Sequence, residues 1–524
     1  MALLAAGAGA FWEQCSSRSA RPQDAAQTPP DDTMIFGVVV AEGRPVSGAT
    51  VRIRGRRRSV KSDSQGAFAL PWPTDIEHGL SLTASKAGYF IGGLPLRAKL
   101  KPGQNVGALR LEPLPTEDCA RYSWVDPRPD LAANQNCGNC HLEIYDEWRL
   151  DAHSRSARNR RLLNLYDGSD WYGRPGKSWS LLDEHPHGAG VCTSCHAPTV
   201  EPDDAAFDDL RGVSGVGAQG VHCDLCHKIK NVSVEHAGLA HGRFGLEWLR
   251  PSAGQLFFGP LDDVDRGEDV YSALQSQSQF CASCHEGIVF GVPVYTTYSE
   301  WLASPARREG KQCQTCHMKP TGKFANFAPD AGGLQRDPLS LASHQFLPGG
   351  RETMLKQCLQ LSVKPAPALE EFRVSVSLAS HGIGHSVPTG FIDRHLVLLL
   401  EVHGAEEQRL FARSGSVLPA AAGPALADQA GLLFAKLLQD KAGRSPAPFW
   451  RAGVVATDTR LRPEQRIEQS WSFPPTARKL RVRLWYRRFW PEVSAVKGWP
   501  DDSLLVFDRR INIEPARANG AESK

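Results

Sequence analysis

Apolar and polar positions alternate in short runs near both ends of this 524-residue chain, a period of two that is typical of half-buried strands. Near the N-terminus, Gly and Pro interrupt these runs, as in a small antiparallel sandwich. The predicted N-terminal strands are Ile35–Val40, Ala49–Arg54, Ala67–Leu70, Leu80–Ser85 and Ala108–Leu111. The predicted C-terminal strands are Phe372–Leu378, His395–Val402, Ile467–Phe473, Leu480–Tyr486 and Ser503–Phe507, and Gly431–Leu438 is either a strand or a short helix.

The middle of the chain lacks this alternation and is dominated by connections rich in Pro, Gly and Asp. Its clearest helix is predicted over Cys140–Leu163, where Ile144, Trp148 and Ala152 recur at helical intervals. The pattern therefore predicts a multidomain fold with a β-sandwich at each end of a mostly α and irregular centre. The predicted boundaries are 1–33 for an export or linker segment, 34–115 for the first sandwich, 116–350 for the centre, 351–515 for the second sandwich and 516–524 for a disordered tail.

Five Cys-x-x-Cys-His pentads lie in the central part, and each is a covalent haem-attachment signature. Two such thiols can form thioethers to one porphyrin edge, and the following imidazole can then bind the iron. Zinc sites and redox motifs also use Cys-x-x-Cys, but neither demands a His after every pair. The sequence thus predicts five c-type haems. The predicted attachment cysteines are Cys137, Cys140, Cys192, Cys195, Cys223, Cys226, Cys281, Cys284, Cys313 and Cys316, and the predicted proximal ligands are His141, His196, His227, His285 and His317.

Distal iron ligands are sought among the twelve other histidines. On a continuous helix, His153 would lie ~18 Å from His141 along the axis, so it could reach only a neighbouring haem. Other candidates are His222, beside the third pentad, and His344, after the last one. His385 belongs to the glycine-rich loop HGIGHSVPTG, which predicts that the C-terminal sandwich is a lid lending one ligand. The fifth distal ligand is open among His241, His236, His187 and His185.

Successive pentads begin 55, 31, 58 and 32 residues apart. This alternation predicts a repeated two-haem unit, with haems two and three, and four and five, as close pairs. The alternative is that the loop lengths alternate by chance.

The charge and hydropathy of the chain limit the kinds of partner and the cellular locations that we expect. The formal net charge is only +3, and the basic run Arg54–Arg58 is interpreted as solvated, so no nucleic acid is expected. No apolar run approaches the ~20 residues of a membrane span. Thioether attachment of haem occurs outside the cytoplasm, which predicts a periplasmic or cell-surface protein. Residues 2–12 resemble a signal segment without preceding basic residues, and Cys15 is a candidate for lipid or surface anchoring.

Two stretches carry family resemblances. GRPVSGATVRIRG, SDSQGAFAL and LTASKAGYF resemble the carboxypeptidase regulatory-like domain, which implies an accessory docking module at 34–115. CGNCHLEIYDEWRLDAHSRSARN, GVHCDLCHKI, FFGPLDDV, GVPVYTTYSEWLASP, QCQTCHM and GHSVPTG resemble the large multihaem cytochrome c family that includes the tetrahaem electron carrier of bacterial hydroxylamine oxidation. That resemblance implies bis-His haems, with distal ligands at His153, His344, His385 and His222. The fifth pentad and the flanking β domains depart from the tetrahaem carrier.

The predicted function is electron transfer between redox partner proteins through a chain of mostly bis-His haems. The alternative is an oxidoreductase of a small nitrogen or sulfur compound, which needs one iron with an open coordination position. A third interpretation is a surface-displayed conduit, suggested by the N-terminal sandwich.

Overall fold

A computed structural model describes residues 33–72, 80–96, 102–133, 135–187 and 190–515. The predicted signal-like stretch, Cys15 and the predicted C-terminal tail lie outside these residues.

The N-terminal part consists of two four-stranded sheets around one core. In the first sheet, Met34–Ala41 pairs with Arg44–Pro45, Ala67–Pro71 and, in parallel, Asn105–Arg110. The second sheet runs in the order Ser59–Lys61, Thr50–Ile53, Ser81–Ser85 and Gly92–Pro95. Every second residue of Met34–Ala41 is buried, which is the alternation that the sequence shows. The strands predicted here are confirmed.

The first sandwich is joined to the centre of the chain by ion pairs. Arg52 contacts Asp262 at 2.7 Å, and Arg54 contacts Asp265 at 3.2 Å. Asp263 accepts a hydrogen bond from the Gly55 amide at 2.7 Å. The interpretation of Arg54–Arg58 as a solvated run is therefore wrong for Arg54, because an acidic segment distant in sequence folds against it.

The single helix predicted over Cys140–Leu163 is also wrong. Helix Leu142–Leu150 ends at Asp151, whose backbone is extended and whose carboxylate accepts a hydrogen bond from the His153 amide at 3.0 Å. A 3-10 turn follows at His153–Arg155, and a new helix, Arg160–Asp167, starts after the Asn159 cap. Local bonding of an Asp side chain to the backbone competes with helix propagation, which explains the break.

The rest of the centre is built from short elements, and all five pentads lie in helices of four to seven residues. The helices are Cys137–Cys140, Leu181–Glu184, Gly190–His196, Ala205–Asp208, Cys223–His227, Gln279–His285, Thr297–Leu302, Pro305–Arg308, Cys313–His317 and Gly350–Cys358. The strand pairs are Ile229–Val232 with Leu246–Trp248, Phe257–Gly259 with Asp269–Tyr271, and Glu286–Val289 with Val292–Thr296.

The C-terminal part returns to β structure, and its strands confirm the predicted pattern. One sheet has the order Leu359–Pro367, Phe372–Ser380 and Arg466–Phe473. The other contains Arg409–Leu410, His395–His403, Gly431–Phe434, Lys479–Arg487 and Leu504–Asn512. Lys436–Asp440 and Ala452–Asp458 form a hairpin, and Pro491–Val496 is a short helix. Gly431–Leu438 is thus strand, divided between Gly431–Phe434 and the hairpin.

Apolar packing fixes this second sandwich against the centre. Leu165 and Tyr166 of the centre share a buried cluster with Val397 and Trp490 of the sandwich. Among the described residues, no helix is long and apolar enough to cross a membrane.

Candidate haem-binding sites

The pentad helices present their imidazoles in the form that binds a metal. The Nδ1 atoms of His141, His196, His227 and His317 lie 2.9, 3.2, 2.6 and 2.8 Å from backbone carbonyl oxygens. A carbonyl only accepts, so each Nδ1 donates and each Nε2 keeps a free lone pair. Burial also lowers the pKa of His285 to about 3, which keeps its ring neutral. This tautomer and orientation are those of metal-ligating histidines.

Two of these rings are each faced by a second imidazole. The ring centroids of His317 and His385 are 6.0 Å apart, and those of His153 and His285 are 6.2 Å apart. Two metal–nitrogen bonds of about 2 Å, plus the distance from each nitrogen to its ring centre, require about 6 Å between centroids. Both pairs therefore fit a haem iron between them.

The facing rings differ in orientation. The planes of His153 and His285 are 78° apart, whereas those of His317 and His385 are 25° apart. One pair is thus nearly perpendicular and the other nearly parallel.

Carboxylates hold the two facing histidines in place. Asp151 accepts from His153 Nδ1 at 2.9 Å, and the aspartate side chain is only 5% exposed. Glu300 accepts from the Ser386 amide and the Thr389 hydroxyl, both at 3.0 Å, and so fixes the loop that carries His385. Neither carboxylate is among the functional residues predicted from the sequence. The position of Asp151 two residues before His153 was the available signal, whereas Glu300 is 85 residues from His385.

His344 lies within electrostatic range of His227 and His141. Glu147 accepts a hydrogen bond from the His344 backbone amide at 2.7 Å. Burial lowers the pKa of His344 to about 3. The neutral His344 ring lies near two predicted proximal histidines, so its position suits ligation of either iron. The role of His344 as a ligand stays a prediction.

His222 is placed differently. Its Nδ1 accepts from the Leu225 amide at 3.4 Å and caps the helix of the third pentad, while its Nε2 lies 3.4 Å from Thr199 Oγ1. With both ring nitrogens facing protein groups, these contacts favour a structural role.

The structure also distinguishes among the four candidates for the fifth distal ligand. His241 has a buried Nδ1 without a hydrogen-bond partner among the described residues, whereas His185 Nε2 lies 3.0 Å from the Trp450 carbonyl oxygen. His187 and His236 are exposed. His241 therefore stays the predicted fifth ligand.

The structure brings thiols of different pentads into contact. Cys137 lies within hydrogen-bonding reach of Cys223, Cys195 of Cys284, and Cys281 of Cys313. The predicted closeness of pentads four and five is thus present. The thiol contacts link pentad two to pentad four and pentad one to pentad three, instead of pentad two to pentad three. Spacing along the chain did not predict these neighbours because the pentads are joined by irregular connections, whose paths depend on tertiary packing.

Comparison with solved structures identifies a similar fold. A penta-heme cytochrome c552 from Thermochromatium tepidum superposes with a TM-score of 0.53 and 23% sequence identity, over 72% of this chain and 97% of that one. A cohesin–X-dockerin complex from Acetivibrio cellulolyticus matches 15% of this chain with a TM-score of 0.13, too low to support an argument. No protein-family model and no curated protein matches the chain. The chain therefore shares the fold of a pentahaem cytochrome c.

Proposed function

We propose that this protein is a pentahaem c-type cytochrome that transfers electrons through covalently bound, mostly bis-His haems. The observation that carries the proposal is the pair of facing imidazoles, His153 with His285 and His317 with His385, at 6.2 and 6.0 Å. Two imidazoles that ligate one iron lie about 6 Å apart between ring centroids, which is the separation of both pairs. The shared fold with a penta-heme cytochrome supports the same function.

Contacts between pentads support transfer along a chain of haems. The thiol pairs Cys137 with Cys223, Cys281 with Cys313 and Cys195 with Cys284 give each of the five pentads a neighbouring pentad, and Cys226 lies within electrostatic range of Cys281. Since each thiol would hold the edge of one porphyrin, the haems of adjoining pentads would lie close together. The chain thus offers a continuous path from pentad one through pentads three, four and five, with pentad two attached at pentad four.

We expect the protein to function outside the cytoplasm, in the periplasm or at the cell surface, and to exchange electrons with redox partner proteins. The requirement for thioether attachment supports this location. The N-terminal sandwich supplies a candidate docking module beside the haem region.

The two ring orientations predict two distinct electron paramagnetic resonance (EPR) signals. Nearly perpendicular imidazole planes leave two iron d orbitals close in energy, so the His153–His285 site should give a low-spin ferric signal of very large g anisotropy. Nearly parallel planes separate these orbitals, so the His317–His385 site should give an ordinary rhombic signal. EPR of the oxidised protein tests this, together with a pyridine haemochrome assay for five haems. A spectrum with only one type of signal would contradict the ring geometry.

A second candidate function is oxidoreduction of a small nitrogen or sulfur compound at the haem of the second pentad. Among the described residues, no imidazole faces His196 as His385 faces His317, and the same holds for His141 and His227, so a neighbouring proton donor is what distinguishes the second pentad. Tyr295, a candidate proton donor, lies within electrostatic range of Cys192 and Cys195.

If this site is open, the oxidised protein should show one high-spin ferric signal that cyanide converts to low spin and that nitrite or hydroxylamine perturbs. Tyr295→Phe should then lower turnover of the compound without changing the haem count. Five low-spin signals that are insensitive to cyanide would reject this function and leave electron transfer intact.

A further inference from the structure

Four arginines converge where the C-terminal sandwich meets the haem region. Arg161 and Arg488 both contact Asp502, at 2.7 and 3.2 Å. Arg351 and Arg394 lie within electrostatic range of Arg488, and Arg394 also lies within range of Arg351. We call Arg161, Arg351, Arg394 and Arg488 the arginine cluster.

The charges of this cluster are not balanced. Among the described residues, Asp502 is its only ion-pair partner. Arg351 packs over the Tyr486 ring at 5.5 Å, and Arg394 donates to the Thr389 carbonyl oxygen at 2.9 Å. Burial and the neighbouring arginines lower the pKa of Arg351. Partly buried cations are normally paired, so this excess positive charge indicates anions that the polypeptide does not supply.

The position of the cluster indicates what those anions are. Arg394 donates to Thr389 in the loop that carries His385, and it lies within electrostatic range of the His285 ring in the predicted fourth haem site. A haem carries two propionate carboxylates on the edge away from its thioethers, and guanidinium groups bind carboxylates bidentately. The arginines and the propionates are thus complementary in charge and in hydrogen-bonding geometry, and the arginines lie near the predicted haem.

We propose that Arg351, Arg394 and Arg488 bind the propionates of the haem ligated by His285 and raise its reduction potential. This inference rests on the proposed function, because it requires that haem. The physical reason is that a nearby positive charge stabilises the reduced haem, which has one more electron, relative to the oxidised haem. Pairing with arginine also keeps the propionates ionised, which makes the potential independent of pH in the neutral range.

A dissolved oxyanion offers the same negatively charged oxygens to these arginines as a haem propionate does. Arg394 also lines a small cavity of about 10 Å³ with Lys436 and Arg460, which holds about one water molecule. The experiment must therefore separate a propionate, which is covalently part of the haem, from an exchangeable anion.

Redox titration of Arg394→Gln tests the proposal, followed through the EPR signal of the perpendicular His153–His285 site in chloride buffer at two pH values. We expect a roughly tenfold lower equilibrium constant for reduction of this haem, which corresponds to about 59 mV for one electron. We also expect the potential to become pH-dependent, and the resonance Raman propionate bending band to shift. Arg394→Lys should restore most of the potential.

Arg481→Gln is the matched control. It removes one arginine from the same sandwich, but Arg481 is paired with Asp508 at 2.8 Å and lies outside the arginine cluster. Arg351→Gln is the second test variant. It keeps the test valid if the Arg394→Gln substitution alone impairs folding.

Three outcomes are decisive. If both cluster variants keep five haems and match the Arg481→Gln potentials and Raman band, the proposal is overturned while the cytochrome function stands. If the wild-type potential shifts when sulfate is added, the cluster binds an exchangeable anion and the propionate assignment is wrong. Absence of haem from the wild-type protein would instead refute the proposed function itself.

Discussion

Replacing His385 by Gly is expected to convert one of the five haems from six-coordinate low spin to five-coordinate high spin. His385 is the only imidazole facing His317 among the described residues, at 6.0 Å between ring centroids, and glycine leaves an empty space at the iron. EPR of the oxidised variant should show one rhombic low-spin signal lost and one high-spin signal gained. Added imidazole should occupy the vacated space and restore the low-spin signal.

His381→Gly is the matched control, because His381 lies on the same loop four residues earlier and its side chain is exposed. This variant should keep the wild-type spectrum. An unchanged spectrum in His385→Gly, with five haems still attached, would remove His385 from the set of iron ligands.

Replacing Asp224 by Ala is expected to lower the free energy of unfolding by about 3–5 kcal/mol, the usual cost of leaving one member of a buried ion pair unpaired. Asp224 contacts Lys228 Nζ at 2.5 Å, and both side chains are fully buried. The same carboxylate accepts from the Tyr122 hydroxyl at 2.9 Å and from the Val125 amide at 2.8 Å. Guanidinium unfolding of the haem-loaded protein, followed by far-ultraviolet circular dichroism, measures the loss.

Two further variants make this test specific. Glu352→Ala breaks the exposed Lys356–Glu352 pair and should cost no more than about 1 kcal/mol. The double variant Asp224→Asn with Lys228→Met removes both charges and should recover much of the loss. Equal stability of Asp224→Ala and Glu352→Ala would show that the buried pair does not stabilise the fold.

The five pentads could be recognised from the sequence because the motif is local. Each pentad places two thiols and an imidazole within five consecutive residues, and the structure folds both cysteines of every pentad into a short helix. The strands near both ends were also predictable, since burial of alternate residues, as in Met34–Ala41, appears directly as an alternation of apolar side chains.

Helix continuity was less predictable, as Asp151 shows. Its side chain bonds to the His153 amide and ends the helix, although Ile144, Trp148 and Ala152 keep the helical spacing. The periodicity was a correct signal for the helix that ends at Leu150. It did not reveal a capping interaction that replaces the next helical hydrogen bond.

The sequence by itself determined that this chain carries five Cys-x-x-Cys-His pentads between two β-rich ends, and it supplied His153 and His385 as candidate ligands. Only the tertiary structure decided that His153 faces His285, that His385 faces His317, and that pentad two adjoins pentad four. The physical reason is distance along the chain. An attachment motif is complete within five residues, whereas each ligand pair joins residues 68 or more positions apart, which only the packing of the intervening chain brings together.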